Sequence, residues 1–112
     1  MSAVGTKPAT LYLHRDDVAW KGVDFGPLLA EGVTLTGGAA ITIDPAMGLD
    51  VSNEAINSVE FSDADPNVAP IAEDEGVIGK FDPLMEGEYT VTFAADTSDG
   101  QHLAVDVQMV VQ

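Results

Sequence analysis

Two histidines, nineteen carboxylates and no cysteine are the groups with which this 112-residue chain could do chemistry. General acid–base catalysis draws on a side chain that titrates near neutrality, and only His14 and His102 ordinarily do so. Neither stands in a motif that pairs a nucleophile with a base, and two histidines alone match no zinc-ligand spacing. Both fall in stretches that read as strands, His102 on a polar face just after a turn, so the expectation for each is a surface or packing role. The absence of cysteine excludes thiolate metal sites, a disulfide framework and dithiol redox chemistry.

The carboxylates gather as Asp63 and Asp65, as Glu73, Asp74 and Glu75, and as Asp96 and Asp99. Loop aspartates at one end of a β-sandwich can supply the six to eight oxygen ligands that Ca²⁺ takes. The stretch Asp63-Ala64-Asp65-Pro66 lacks the glycine and the distal bidentate glutamate of a calcium loop, so the expectation is mutually repelling carboxylates held apart by solvent, with no metal and no cofactor. Gly37-Gly38 and the Gly76/Gly79 pair are followed by no helix start and no suitably placed lysine, which removes a phosphate cradle. An enzyme is therefore not expected.

The elements that must carry these residues are strands. Tyr89, Val91, Phe93 and Ala95 alternate with Thr90, Thr92 and Ala94, which predicts a half-buried strand from about Glu88 to Ala95. After the turn-forming stretch 96–100, Leu103, Val105, Val107, Met109 and Val111 share the opposite parity from His102, Ala104, Asp106, Gln108 and Val110, which predicts an antiparallel hairpin. Shorter β-segments read over 10–14, 33–36, 39–43, 48–51, 58–61 and 77–81, with Gly37-Gly38 and Asp44-Pro45 as breaks. One helical turn is conceivable over 51–56, and the acidic, proline-interrupted stretch 62–76 reads as a long exposed loop. Seven to eight short strands in one domain over 10–112, after a mobile arm over 1–9, predict an all-β, immunoglobulin-like antiparallel sandwich.

Within that frame Tyr89, opening the penultimate strand after Gly87, has the placement of a tyrosine corner, with its ring in the core and its hydroxyl on the backbone of the preceding crossover. Phe25 and Phe93 join it as structural aromatics. Trp20, beside Lys21, is either a core plug or an exposed interface anchor.

Four basic residues against nineteen acidic ones give a net charge of −15, which repels both nucleic acid and anionic membranes. The residues 1–8 lack the apolar stretch of a secretory signal, and no run is long enough to cross a bilayer, so the chain is expected to be made in the cytoplasm.

From Asp17 to Gln112 the order of segments resembles the small tailed-bacteriophage virion proteins that act as fibre-tail adaptors. The residues that carry the resemblance are Asp24-Phe25-Gly26-Pro27-Leu28-Leu29-Ala30-Glu31-Gly32, then Gly87-Glu88-Tyr89-Thr90-Val91-Thr92, and finally Ser98-Asp99-Gly100-Gln101 before a long last strand. The resemblance implies a non-enzymatic structural protein of a virion, assembled in the host cytoplasm, present in multiple symmetric copies and bound to neck, tail, fibre or capsid subunits. Its expected place is an exterior one at the head-tail junction or where fibres attach, with docking through edge strands and the arm. The alternatives are a capsid decoration protein cementing shell subunits, and a carbohydrate- or surface-binding module, for which a row of exposed aromatics is expected.

Overall fold

A computed structural model describes residues 10–66 and 68–112, and the expected arm over 1–9 lies outside the described residues. The strands are β1 (Thr10–Leu13), β2 (Ala19–Asp24), β3 (Leu35–Asp44), β4 (Leu49–Ile56), β5 (Gly76–Pro83), β6 (Gly87–Thr97) and β7 (His102–Val111), with one 3₁₀ turn at Gly26–Leu28. They form a four-stranded sheet in the order β1-β7-β6-β3 and a three-stranded sheet in the order β2-β5-β4. Every pairing is antiparallel except that of β1, which runs parallel to β7. The chain changes sheet between β1 and β2, β2 and β3, β3 and β4, and β5 and β6, which makes this an immunoglobulin-like sandwich.

Period-two alternation is what closes it. Tyr89, Val91, Phe93 and Ala95 on β6 are buried, as are Val107, Met109 and Val111 on β7, in a register that sets Tyr89 opposite Met109 and Val91 opposite Val107. The second sheet answers with Val77 and Phe81 from β5 and Leu49 from β4. Phe81 meets Phe93 across the gap between sheets with ring centroids 6.0 Å apart and planes inclined at 51°, a tilted arrangement that adds about 0.5–1.5 kcal/mol to the burial of the two rings. Phe25, fully buried, closes the end of this core from the β2–β3 connection, its N–H donating to the Glu75 carbonyl at 2.7 Å.

The tyrosine corner is present. The Tyr89 hydroxyl donates to the Met85 carbonyl at 2.8 Å while the ring is buried. Asp96 to Gln101 turn the chain from β6 into β7, the expected hairpin, with the Thr97 N–H donating to the Gln101 carbonyl at 2.8 Å.

Four local expectations are corrected. Gly37-Gly38 does not end a strand: β3 runs through it, with register shifts between Leu35 and Ala40 where the extra residues bulge out of the ladder with β6. Residues 51–56 are strand and not a helical turn, with Asn53 at φ 57° absorbing the shift between Ser52 and Ala55. The stretch 58–61 contributes only a single bridge from Phe61 to Ile71. The strand β2, with the sequence AWKGVD, was not expected from periodicity because a lysine and a glycine interrupt its apolar parity.

Candidate docking surface on the three-stranded sheet

Register decides which side chains of β2 face outward. Ala19, Lys21 and Val23 stand opposite Phe81, Gly79 and Val77 and share their inward parity, whereas Trp20, Gly22 and Asp24 stand opposite Lys80, Ile78 and Gly76 on the outer face. Ser52 and Ala55 of β4 continue that face opposite Lys80 and Ile78. Two adjacent outward positions are thus glycines, Gly22 and Gly76, and they leave a depression.

The long β4–β5 connection folds back to fill it. Ile71 sits in the seat so tightly that a Cβ at Gly76 would stand 2.5 Å from its Cγ2, and one at Gly22 would be 3.3 Å from its Cδ1. Only 3% of Ile71 remains exposed, and burial of this kind contributes about 1.5–3 kcal/mol. Phe61 and Ile71 exchange two backbone hydrogen bonds, at 2.9 and 2.8 Å. Asn57 braces the base of the loop: the two N–H groups of its buried amide are shared among the carbonyls of Val59, Ile71 and Ala72, and its Oδ1 accepts from the Gly76 N–H. A buried polar side chain satisfied by backbone on both sides fixes a loop where apolar packing alone would leave it loose.

A second tie is ionic. Lys21 starts from an inward register position at the edge of the sheet, and its ammonium reaches Asp63 Oδ1 at 3.2 Å. The side chains are only 10% and 2% exposed, so the pair is shielded from the solvent screening that makes surface ion pairs weak. The same Oδ1 accepts the Asp65 N–H at 2.8 Å, which turns the chain after Asp63. The stretch 62–75 is a long and mostly exposed loop, as expected, and it is pinned to the outside of the sheet by Asp63 and Ile71, with Asn57 at its base.

What remains open beside the pinned loop is apolar. Trp20 is 41% exposed, Val18 53% and Val59 70%. They border two hollows: one of about 190 Å³ between Trp20, Ile56, Phe61 and Ile78, and a wider, open one of about 590 Å³ running from Val18 over Trp20 to Ala64. The first is smaller than the roughly 300–1,000 Å³ of ordinary ligand pockets, and the second is a shallow trough rather than an enclosure. An exposed tryptophan ringed by aliphatic and aromatic carbon has the composition of a protein-binding anchor.

The other residues singled out by sequence are dispersed. Tyr89, Phe93 and Phe25 lie in the core and Trp20 on this face. His14 is exposed just past β1; exposed His102 stands on the outer face of the four-stranded sheet with Nδ1 2.7 Å from Asp96 Oδ1. Asp63 is committed to Lys21, and among the described residues no group of three or more histidines or carboxylates is disposed to hold a metal ion. Tyr12, 59% exposed, points out from the four-stranded sheet, so it and Trp20 are on opposite sides of the sandwich and form no aromatic row. Sequence reasoning missed Lys21, Asn57 and Ile71, which come together only through contacts between β2 and the β4–β5 connection. Comparisons with protein-family models, with curated proteins and with solved structures find no match.

Proposed function

We propose that this protein is a non-enzymatic structural component of a bacteriophage virion, an exterior accessory or adaptor that docks on a neighbouring virion protein through the outer face of its three-stranded sheet. The observation that carries the docking mode is Trp20, held 41% exposed amid Val18, Phe61 and Ile78 on a face whose loop is pinned rather than free. A rigid apolar anchor loses little entropy on binding, and symmetric repetition of one modest interface supplies avidity. The virion setting is supported by the segment order from Asp17 to Gln112, which resembles fibre-tail adaptors. Two of the four edge strands, β3 and β4, carry irregularities that interrupt their ladders, which disfavours strand addition there.

Peptide mass spectrometry on purified particles from cells that carry the gene tests this reading. The chain is expected in the particles at a fixed ratio to the tail or capsid subunits, and a Trp20→Ser variant is expected to be incorporated at least tenfold less. Density for it at the neck or fibre base fits the adaptor role, whereas density spread over the shell replaces that role with decoration. Absence from the particles refutes the virion assignment.

A further inference from the structure

The end of the sandwich away from the pinned loop carries a second exposed apolar group. Met47, in the β3–β4 turn, is 77% exposed, and Leu84 and Met85, in the β5–β6 turn, are 61% and 58% exposed. Backbone geometry holds the two turns together. The Gly48 carbonyl accepts both the Leu84 N–H at 2.8 Å and the Met85 N–H at 2.9 Å. The Tyr89 hydroxyl holds the Met85 carbonyl from below, and Gly48, at φ 97°, leaves the ring room that any Cβ would occupy. The tyrosine corner thus presents three large apolar side chains on a braced tip, two of them thioethers that adapt to an irregular surface.

The rim of the tip is acidic. Asp44 ends β3, and Asp50 stands directly opposite Asp82 in the β4–β5 ladder, an arrangement of like charges that costs stability. None of the ion pairs among the described residues involves these three carboxylates. Arg15 neutralises Glu86 beside Met85, and Lys80 lies two residues from Asp82 on the same face, so the rim keeps a net negative charge from Asp44, Asp50 and Asp82. An apolar centre inside such a rim complements an apolar socket or amphipathic segment bordered by lysine and arginine. The net charge of −15 disfavours a second copy of the chain and an anionic bilayer as occupants. We propose that this tip, at the opposite end of the sandwich from the pinned loop, is a second docking surface for a basic, apolar protein segment; its Asp50 and Asp82 lie one row beyond Lys80 and Trp20 on the same sheet face. With both faces occupied the chain bridges two partners. The inference does not rest on the virion assignment, and each can fail without the other.

The test uses the intact protein labelled at its methionine methyl groups and titrated with an amphipathic leucine–lysine peptide of about 14 residues, then with its leucine–glutamate counterpart. The Met47 and Met85 resonances are expected to move with the lysine peptide while buried Met109 does not, and neither is expected to respond to the glutamate peptide. The variant M47S/L84S/M85S, which changes turn residues and no charge, is expected to bind the lysine peptide at least tenfold more weakly. D50N/D82N, which leaves the apolar tip intact, is expected to weaken it severalfold. Binding that perturbs only the Trp20 face or the acidic loops, or that survives the triple variant, overturns the proposal. So do Met47 and Met85 shifts that depend on protein concentration without peptide, which mark self-association, or that appear with phosphatidylcholine vesicles, which mark a lipid surface.

Discussion

The outer faces of the two sheets are built from opposite materials. On the four-stranded sheet Ala40, Ala94 and Ala104 form one cross-strand row and Thr42, Thr92 and Asp106 the next, with Thr92 donating to Asp106 Oδ1 at 2.6 Å. Most of its groups are small or already paired with neighbours on the same face, with Asp44 at its end as an exception, and Tyr12 is its large exposed aromatic. On the three-stranded sheet a glycine pair receives a loop plug, a buried ion pair anchors that loop, and a tryptophan is left partly open beside them. One face is finished against water. The other is braced, and its apolar surface is left available, which is the difference between a solvated sheet and a docking platform.

Replacing Asp63 by Ala tests the bracing most severely, because it leaves the Lys21 ammonium in a dry site without its counter-charge. The expected loss is about 3–5 kcal/mol in urea unfolding. The joint replacement of Lys21 by Met and Asp63 by Leu removes both charges and is expected to recover most of it; a double variant as unstable as Asp63→Ala would mean that the pair matters for its shape and not its charge. Ile71→Ala empties the glycine seat, with an expected cost of about 2–5 kcal/mol and faster amide exchange across 58–72. Exchange that speeds equally in β6 and β7 would show that the loop is not a separate brace.

A smaller effect is expected from Tyr89→Phe, which keeps the ring and removes the hydrogen bond to Met85, for about 1 kcal/mol. Trp20→Ser is expected to cost about 1 kcal/mol, because the ring is more than half buried beside Phe61 and Ile78. The smallest effect is expected from Thr42→Ala, within about 0.5 kcal/mol of the parent because it alters an exposed outward position. These two separate the faces by function: the first is expected to abolish docking and the second to leave it intact. Equal losses from both would erase the distinction between the sheets.

The inward residues were legible because alternation is a one-dimensional signal. Tyr89, Val91, Phe93 and Ala95 announce β6, and the parity of Leu103 to Val111 announces β7. The immunoglobulin-like architecture followed from strand number and turn spacing, and the tyrosine corner from one tyrosine after a glycine turn. The outer brace was not legible, since it is made of contacts between residues far apart in the chain, Lys21 with Asp63 and Gly22 with Ile71. Lys21 hid β2 by breaking its apolar parity, and Asp63 read as one more solvated carboxylate in a strongly acidic chain. The stretch 51–56 read as a conceivable helical turn because a single left-handed residue, Asn53, leaves no trace in hydropathy. Trp20 was open between core and interface, and its register opposite Lys80 places it outside.

The most direct measurement places a photoreactive phenylalanine analogue at position 20 in one preparation and at position 42 in another, and irradiates each within assembled particles. Cross-links to a neighbouring subunit from position 20, with none from position 42, are what a docking platform on the three-stranded sheet predicts. Cross-links from position 42 alone, or from neither site in particles that contain the chain, would contradict it.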